Sequence, residues 1–332
     1  MNPPPRKRLW LRAILRIGGS ALALIILFRF LPLGEVWTTL GRVPPHLWVL
    51  VVAGYLTAHL IAASKWRLMV NLGGSGLSFP HAVRCYFSGL FSTLLLPSVI
   101  GGDVVRAGLA LRSTRSKAAI LVGSFLDRVI DFLALAILAA IGALLVPGEL
   151  APESRRVLVT VGLAIAVLAI ILASIVLWFP ARKFSFRIRR GLVRLRNAAY
   201  AVRRQPQYVT AAVCLALLAQ GSFIWLTAQV AAASGLHLPF RAWLFAWPLA
   251  KISALVPLTQ GGIGVREAAL AALLVPFGAR PVLTVAAGLA WEGVIITGGL
   301  IAGLTAFLLA QFSPAHTTGP FRSTAGQPQK PV

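Results

Sequence analysis

Residues Pro97–Arg106 read PSVIGGDVVR, and this stretch lies inside strongly apolar sequence. A proline and two adjacent glycines interrupt a helix, and an Asp and an Arg bring charge into apolar surroundings. Residues Pro257–Arg266 read PLTQGGIGVR. Four residues recur at an offset of 160 positions: Pro97, Gly101, Gly102 and Arg106 match Pro257, Gly261, Gly262 and Arg266. Two interrupted apolar segments in corresponding halves of a chain indicate a transporter-type site.

The composition indicates a polytopic membrane protein. Of 332 residues, 58% are hydrophobic and only 12% are charged, and the mean hydropathy is +0.83. A soluble domain of this size cannot bury so much apolar surface. The net charge of +24 comes with no nucleic-acid-binding module, so we expect no nucleic-acid partner. Cys85 and Cys214 lie at or inside apolar runs and are predicted to be packing residues, and we expect no metal and no cofactor.

The apolar runs predict six spanning helices, since about 20 apolar residues cross a bilayer. The second of them is predicted to end at an interfacial anchor, Lys65-Trp66-Arg67. Two further pairs of runs are too short to span, and each is predicted to form a re-entrant helical hairpin. The predicted spans are 11–31, 46–63, 117–146, 157–179, 208–233 and 281–311. The first predicted hairpin pairs residues 82–96 with a helix that runs from just after Gly102 to residue 111. The second pairs residues 243–256 with 265–275.

Three polar segments flank or separate these runs. Residues 1–10 are predicted to be a cytoplasmic tail, and 312–332 a disordered cytoplasmic tail. Residues 180–207 hold nine basic residues and no acidic one. They fit either an interfacial helix on an anionic leaflet or a solvated positive loop.

The distribution of basic residues predicts the topology. The segments assigned to the cytoplasm hold 23 Lys and Arg residues, and those assigned to the opposite side hold five. This positive-inside bias places both termini in the cytoplasm. Each half, about 11–146 and 157–311, then reads span, span, hairpin, span, with the two hairpins entering from opposite faces. The fold class predicted is an all-α polytopic membrane protein with an inverted-topology repeat.

Charged residues within the predicted membrane region are the candidates for binding or translocation. Such residues normally face a bundle interior or a wet cavity. Arginine binds phosphate well, so Arg106 and Arg266 are candidates for attracting an acidic headgroup, with the carboxylates neutralising them or carrying protons. The alternative is that the charges pair internally and only hold broken helices together. The candidate residues are Asp103, Arg106, Asp127, Arg128, Asp131, Lys251, Arg266, Glu267 and Glu292, with hairpin tips at Pro97, Gly101, Gly102, Pro257, Gly261, Gly262 and Gly264.

These motifs resemble one known family. The residues on which the resemblance rests are Pro97–Gly101-Gly102-Asp103–Arg106, Asp127-Arg128–Asp131, and Pro257–Gly261-Gly262–Gly264-Val265-Arg266-Glu267. Together they look like the flippase-like membrane domain of lysylphosphatidylglycerol synthases, over roughly residues 10–311. The resemblance implies translocation of a lipid headgroup across the bacterial inner membrane. In the two-domain members a soluble aminoacyl-transferase follows the membrane part, whereas here a short tail follows Gln311.

The function predicted is movement of an anionic or polyprenyl-phosphate-linked lipid between leaflets. The expected partners are membrane lipids, with a homo-oligomer or a lipid-synthesis enzyme also considered. A second hypothesis is a lipid-modifying membrane enzyme that uses Asp103 or Asp127 as general base. A third is a non-transporting partner of a lipid- or glycan-synthesis complex.

Overall fold

The described part of the chain is helical because long apolar runs leave no other way to satisfy the backbone away from water. A computed structural model describes residues 43–96, 99–114, 116–146, 204–254 and 264–312, and the isolated residues 38, 41, 193, 197 and 200. These residues form eight α-helices and one 3₁₀ turn, without a strand. The helices are α1 Pro45–Leu72, α2 Phe79–Leu95, α3 Val99–Ser113, α4 Lys117–Leu144, α5 Pro206–Ala233, α6 Phe240–Ser253, α7 Val265–Leu274 and α8 Pro281–Phe312, with the 3₁₀ turn at Val275–Phe277.

Three of the described helices are long and apolar enough to cross a membrane: α1, α5, and α8 over Pro281–Gln311. These correspond to the predicted second, fifth and sixth spans. Helix α4 has 28 residues, as many as α1 and α5, but it carries the charges of Asp127, Arg128 and Asp131. The predicted spans 11–31 and 157–179 lie outside the described residues, as do the tails 1–10 and 313–332 and nearly all of 180–207.

Large apolar side chains project from the outer faces of the long helices, as lipid contact requires. Small residues lie where helices approach each other closely. A Cβ on Gly123 of α4 would come within 2.5 Å of the Val70 Cα atom of α1. A Cβ on Gly142 would come within 2.4 Å of the Phe245 backbone nitrogen of α6. The outward apolar side chains include Val49, Leu50, Leu218, Trp225, Leu300, Leu304 and Phe307.

Helices α2 and α3 pack against each other as a pair of short helices. They approach each other closely at two glycines: a Cβ on Gly89 would come within 2.6 Å of the Gly102 carbonyl oxygen, and a Cβ on Gly102 within 2.6 Å of the Gly89 carbonyl oxygen. The outer ends of the pair lie together, because Thr114 Oγ1 donates a hydrogen bond to the Ser75 carbonyl oxygen at 2.9 Å. Helix α2 begins four residues after Ser75, and α3 ends one residue before Thr114.

Three sequence-based predictions need correction. Helix α1 continues to Leu72, so Lys65 and Trp66 are fully buried in the bundle and are not an interfacial anchor. Two of the 23 basic residues counted as cytoplasmic, Lys65 and Arg106, are therefore inside the bundle. Helix α3 begins at Val99, so Gly101 and Gly102 lie inside its first turn and do not form the break.

The packing of the helices repeats between the two halves. Helices α1 and α5 pack on each other, and the first helix of each short pair packs on the final long helix of the other half: α2 on α8, and α6 on α4. Within each pair the two short helices also pack together, α2 on α3 and α6 on α7. An aromatic group at the centre joins α1, α5, α6 and α8: the Tyr55 ring lies 5.7 Å from Phe223 and 5.9 Å from Trp291, and Trp247 lies 5.6 Å from Trp291.

Candidate functional site

Six charged side chains from α1, α3 and α4 come together in the bundle interior. We call this group the first cluster: Lys65, Asp103, Arg106, Asp127, Arg128 and Asp131. It holds three cations and three carboxylates. A charge inside a membrane bundle is costly unless it is paired, and here every member has at least one partner of opposite charge.

Arg106 of α3 occupies the centre of the first cluster. Its NH2 atom lies 3.1 Å from Asp127 Oδ2 and 3.2 Å from Asp103 Oδ1. Its Cζ atom lies 4.9 Å from the ring centroids of both Trp66 and Tyr86. Aromatic faces stabilise a cation that has been removed from water. Arg106 is 2% exposed, so charge pairs and rings replace its hydration.

Lys65 is the least exposed cation of the first cluster. Its Nζ atom lies 3.0 Å from Asp127 Oδ1 and 2.6 Å from Asp131 Oδ1, and Lys65 and Asp127 are each 1% exposed. The contact with Asp127 Oδ1 is an ion pair without hydrogen-bond geometry. Neighbouring Trp66 donates its indole N–H to Ser124 Oγ at 3.0 Å. Two consecutive residues of α1 therefore contact α4: Lys65 through ion pairs and Trp66 through a hydrogen bond.

Arg128 and Asp103 form the open edge of the first cluster. Arg128 donates to Asp103 Oδ1, and its NH1 atom lies 3.5 Å from Asp131 Oδ2. Exposed side-chain fractions fall from 41% for Arg128 through 24% for Asp103 to 14% for Asp131, and then to 1% for Lys65 and Asp127. The first cluster is therefore accessible at Arg128 and closed at Lys65.

A polar connection extends from the first cluster to the second half of the chain. Gln220 of α5 donates from Nε2 to Asp131 Oδ1 at 3.3 Å. It accepts at Oε1 a hydrogen bond of 2.8 Å from the Lys251 ammonium, in the last turn of α6. The same ammonium lies 5.0 Å from the Phe223 ring centroid. The Gln220 amide thus hydrogen-bonds both to Lys251, in the second half of the chain, and to the Asp131 carboxylate, in the first half.

The second cluster consists of Arg266, Glu267 and Glu292, where α7 meets α8. Glu267 Oε1 accepts from Arg266 Nε at 3.0 Å and from NH2 at 2.5 Å, while Glu292 Oε2 accepts from NH2 at 2.9 Å. Glu267 Oε2 accepts from the Gly264 backbone N–H at 2.7 Å. Gly264 has φ +86°, a region that favours glycine, so the carboxylate also fixes the start of α7.

The two hairpin arginines have equivalent surroundings. Each pairs with an acidic residue of the long helix that follows it: Arg106 with Asp127 of α4, and Arg266 with Glu292 of α8. Each also lies over an aromatic ring of the short helix that packs against its own: Tyr86 of α2 for Arg106, and Trp247 of α6, at 5.7 Å, for Arg266. The sequence repeat thus corresponds to a repeat of chemical surroundings.

All nine charged candidates lie in the two clusters or in the connection between them. Two participants were missed by sequence reasoning, Lys65 and Gln220. Lys65 offered a signal, since it follows an apolar run directly and precedes more apolar residues. Of the candidate tips, Gly101 and Gly102 are helical and Gly264 precedes α7, whereas Pro97, Pro257, Gly261 and Gly262 lie outside the described residues. No three His, Cys, Asp or Glu side chains of the described residues are arranged to hold a metal ion.

Long apolar helices around buried ion pairs define a membrane-integral helical protein. The chain belongs to the family described as the lysylphosphatidylglycerol synthase TM region, whose model matches residues 13–303. It is also similar to a UPF0104 membrane protein of Methanothermobacter thermautotrophicus, with 24% identity over 134 residues. That similarity spans 40% of this chain and 38% of the relative. The family expected from the hairpin motifs is therefore confirmed.

Proposed function

We propose that this protein is a lipid transporter that moves an anionic or polyprenyl-phosphate-linked lipid between the leaflets of the bacterial inner membrane. The observation that carries the proposal is the pair of buried charge clusters, each of which contains an arginine from the second helix of a packed pair of short helices. Burying so many charges in a membrane bundle is costly, and such residues characteristically mark substrate pathways. The family membership supports a role in lipid handling.

The proposed architecture has six spans, two re-entrant hairpins and an inverted repeat, with both termini cytoplasmic. The reciprocal packing supports it, since α2 contacts α8 as α6 contacts α4. An exchange of this kind is expected when a pseudo-two-fold axis relates the halves. Ser75 precedes α2, Thr114 follows α3, and the two are hydrogen-bonded to each other. This contact supports a first hairpin that enters and leaves by one face of the membrane.

In this mechanism the clusters replace the water around the lipid headgroup as it crosses. Arginine, lysine and the open edge at Arg128 supply donors for phosphate oxygens. The carboxylates keep the cations neutralised when no headgroup is bound, which limits the cost of the empty state. The enzymatic alternative has weaker support, because both oxygens of Asp127 face cations and Asp103 faces two arginines. Carboxylates held this way are poor general bases.

The test is leaflet-resolved labelling in vesicles. Purified protein is reconstituted with fluorescent phosphatidylglycerol or a fluorescent polyprenyl phosphate, and an impermeant quencher reports the outer-leaflet fraction. Protein-free vesicles should protect the inner-leaflet label, whereas the protein should expose it over time. Equal protection with and without protein would exclude flipping, and co-purification with a synthesis enzyme would then favour the non-transporting partner. A chemically altered lipid would favour the enzyme.

A variant pair ties the activity to the clusters. Arg106→Ala combined with Arg266→Ala should abolish flipping, because both hairpins lose their central cation. Arg112→Ala removes an exposed arginine from the end of the same helix α3 and should leave the rate unchanged. Unchanged flipping in the double variant would contradict the proposed roles of the two arginines.

A further inference from the structure

The buried charges balance over the two clusters together, but not within each part of the network. The first cluster is balanced, and Lys251 beside it adds one positive charge. The second cluster holds one cation and two carboxylates, so it carries one negative charge in excess. The described charges are therefore neutral as a set. A further charge that enters the bundle must be compensated, because an unpaired charge there is costly.

Glu292 carries the excess charge of the second cluster. Glu267 Oε1 and Glu292 Oε2 accept from the same atom, Arg266 NH2, at 2.5 Å and 2.9 Å. Glu267 also accepts from Arg266 Nε at 3.0 Å and from the Gly264 N–H at 2.7 Å, whereas Glu292 has no second donor among the described residues. The Glu292 side chain is also the more exposed, at 17% against 0%. Two carboxylates that share one site repel each other, and the less firmly held one is the natural acceptor of a proton.

Few titratable groups face Glu292. Helices α1, α2, α5 and α7 pack against α8. Arg266 and Glu267 of α7 act on the Glu292 carboxylate, and α1 contributes Tyr55, whose ring lies 5.9 Å from that of the neighbouring Trp291. Within the described part of the chain, α2 and α5 supply neither an ion pair nor a hydrogen bond to this carboxylate. Its protonation therefore depends mainly on one arginine and one glutamate.

Aromatic side chains separate Glu292 from Lys251, which carries the compensating positive charge. The Phe223 ring lies 5.0 Å from the Lys251 ammonium and 4.8 Å from the His59 ring. The His59 ring lies 4.4 Å from that of Tyr55, one turn away on α1 and close to Glu292. Protonation of Glu292 therefore changes the charge of the second cluster without breaking an ion pair of the first.

Two buried polar groups along these aromatic side chains have no partner among the described residues. Trp247 is 2% exposed, and its ring lies 5.7 Å from Arg266 Cζ, yet its indole N–H donates to no described acceptor. The same holds for His59 Nδ1. Buried polar groups are normally satisfied by protein or by ordered water. These positions therefore favour water beside the second cluster, and a membrane carboxylate beside water is typical of a proton relay.

We propose that Glu292 binds a proton that crosses the membrane together with the anionic cargo. This inference rests on the proposed transport function and adds its driving force, a proton gradient. The network is neutral before the cargo enters, so one negative charge and one proton leave it neutral again. A Glu292 oxygen takes the proton from water as the cargo enters, and the proton returns to water on the other side when the cargo leaves. No ion pair between the halves has to break.

The first measurement counts the protons taken up on binding by the full chain in an uncharged detergent. Dihexanoyl-phosphatidylglycerol is titrated calorimetrically between about pH 5 and pH 9, in buffers with different ionisation enthalpies. The dependence of the apparent enthalpy on the buffer gives the number of protons per bound lipid. Glu292→Gln removes the titratable group, Glu292→Asp keeps a carboxylate, and Arg112→Ala removes an exposed charge of α3. Size-exclusion chromatography and the melting temperature establish that each variant is folded.

Proton uptake by the wild type should approach about one per phosphatidylglycerol at its maximum. Glu292→Asp and Arg112→Ala should retain this uptake, and Glu292→Gln should lose it. Dihexanoyl-phosphatidylcholine, which is zwitterionic, should cause no uptake in any of the proteins. Undiminished uptake in Glu292→Gln would overturn the assignment to Glu292, and equal uptake with phosphatidylcholine would overturn the link to an anionic cargo.

The second measurement is the leaflet distribution of fluorescent phosphatidylglycerol in phosphatidylcholine vesicles under a pH difference of about one unit. Equal potassium and valinomycin hold the membrane potential at zero. One proton per headgroup predicts about tenfold more label in the leaflet that faces the alkaline solution. Protein-free vesicles under the same gradient should keep their starting distribution, and label moved by Glu292→Gln should reach equal amounts in both leaflets.

The two measurements separate this proposal from the proposed function. If the wild type moves the label but distributes it equally despite the gradient, transport stands and proton coupling fails. If no label moves while the wild type takes up a proton that Glu292→Gln does not, the proton site stands and lipid transport fails. If the wild type neither moves the label nor takes up a proton, both are overturned.

Discussion

Arg106 and Asp127 form a buried ion pair between α3 and α4, with 3.1 Å between the arginine NH2 atom and Asp127 Oδ2. Neither side chain is more than 3% exposed. On its other oxygen Asp127 faces Lys65 of α1. One carboxylate therefore joins a short hairpin helix to two long helices, and its negative charge compensates two buried cations.

Asp127→Asn should destabilise the protein by about 3 kcal/mol. Breaking a buried pair costs roughly 3–5 kcal/mol, and the lower end applies because Lys65 keeps Asp131 and Arg106 keeps Asp103. Thermal unfolding in detergent measures the change. The control is Asp103→Asn, whose side chain is 24% exposed and should cost about 1 kcal/mol or less. Equal losses in the two variants would contradict the central position assigned to Asp127.

Gly123→Ala should destabilise the contact between α1 and α4 by about 1–3 kcal/mol, the usual cost of overpacking. The new methyl group would approach backbone atoms of Val70, which cannot rotate away. Gly221→Ala is the matched control: it is also helical, and no atom lies within 4 Å of its new Cβ. There alanine should be neutral or stabilising, because its helix propensity exceeds that of glycine. A lower melting temperature for Gly221→Ala than for Gly123→Ala would contradict the packing.

Glu267→Gln and Glu292→Gln should change stability by different amounts, although both remove one carboxylate from the second cluster. Glu267 is fully buried, holds two nitrogens of Arg266 and accepts the Gly264 N–H, so its loss should cost about 3 kcal/mol. Glu292 is the second carboxylate facing one arginine, and its replacement leaves a balanced pair. We expect Glu292→Gln to change the stability of the protein by less than about 1 kcal/mol. The melting temperatures of the two variants in detergent measure the difference. A larger loss of stability for Glu292→Gln than for Glu267→Gln would contradict the roles assigned to the two carboxylates.

The sequence predicted the long helices well because apolar length is a local property. The described parts of four predicted spans are single helices, with ends that differ from the predicted ones by at most nine residues. Charges in apolar sequence identified the nine charged candidates for the same reason, since the cost of each can be recognised without knowing its partner. The repeat at an offset of 160 positions also indicated the similar surroundings of Arg106 and Arg266.

Three features could not be obtained from local sequence. Lys65 follows an apolar run, as an interfacial anchor also does, and although more apolar residues come after it, its partners Asp127 and Asp131 cannot be identified from that position. Gln220 is uncharged, so its burial in an apolar helix lacks the large free-energy cost by which a charged residue can be recognised. A glycine pair is compatible with a break or with close packing, and Gly102 is a packing residue because its neighbour is the backbone of Gly89.

Cysteine labelling should test the opposed entry of the two hairpins. Native Cys85 and Cys214 are first replaced by serine, and single cysteines are then introduced for Ser113 or His237. Both positions are exposed, one at the end of α3 and the other in the turn before α6. The positive-inside bias predicts that position 113 is cytoplasmic and that position 237 lies on the opposite side. An impermeant maleimide should therefore label position 237 in intact cells, and position 113 only after lysis. Labelling of both positions from one side would contradict the inverted repeat, because its two hairpins must open to opposite faces of the membrane.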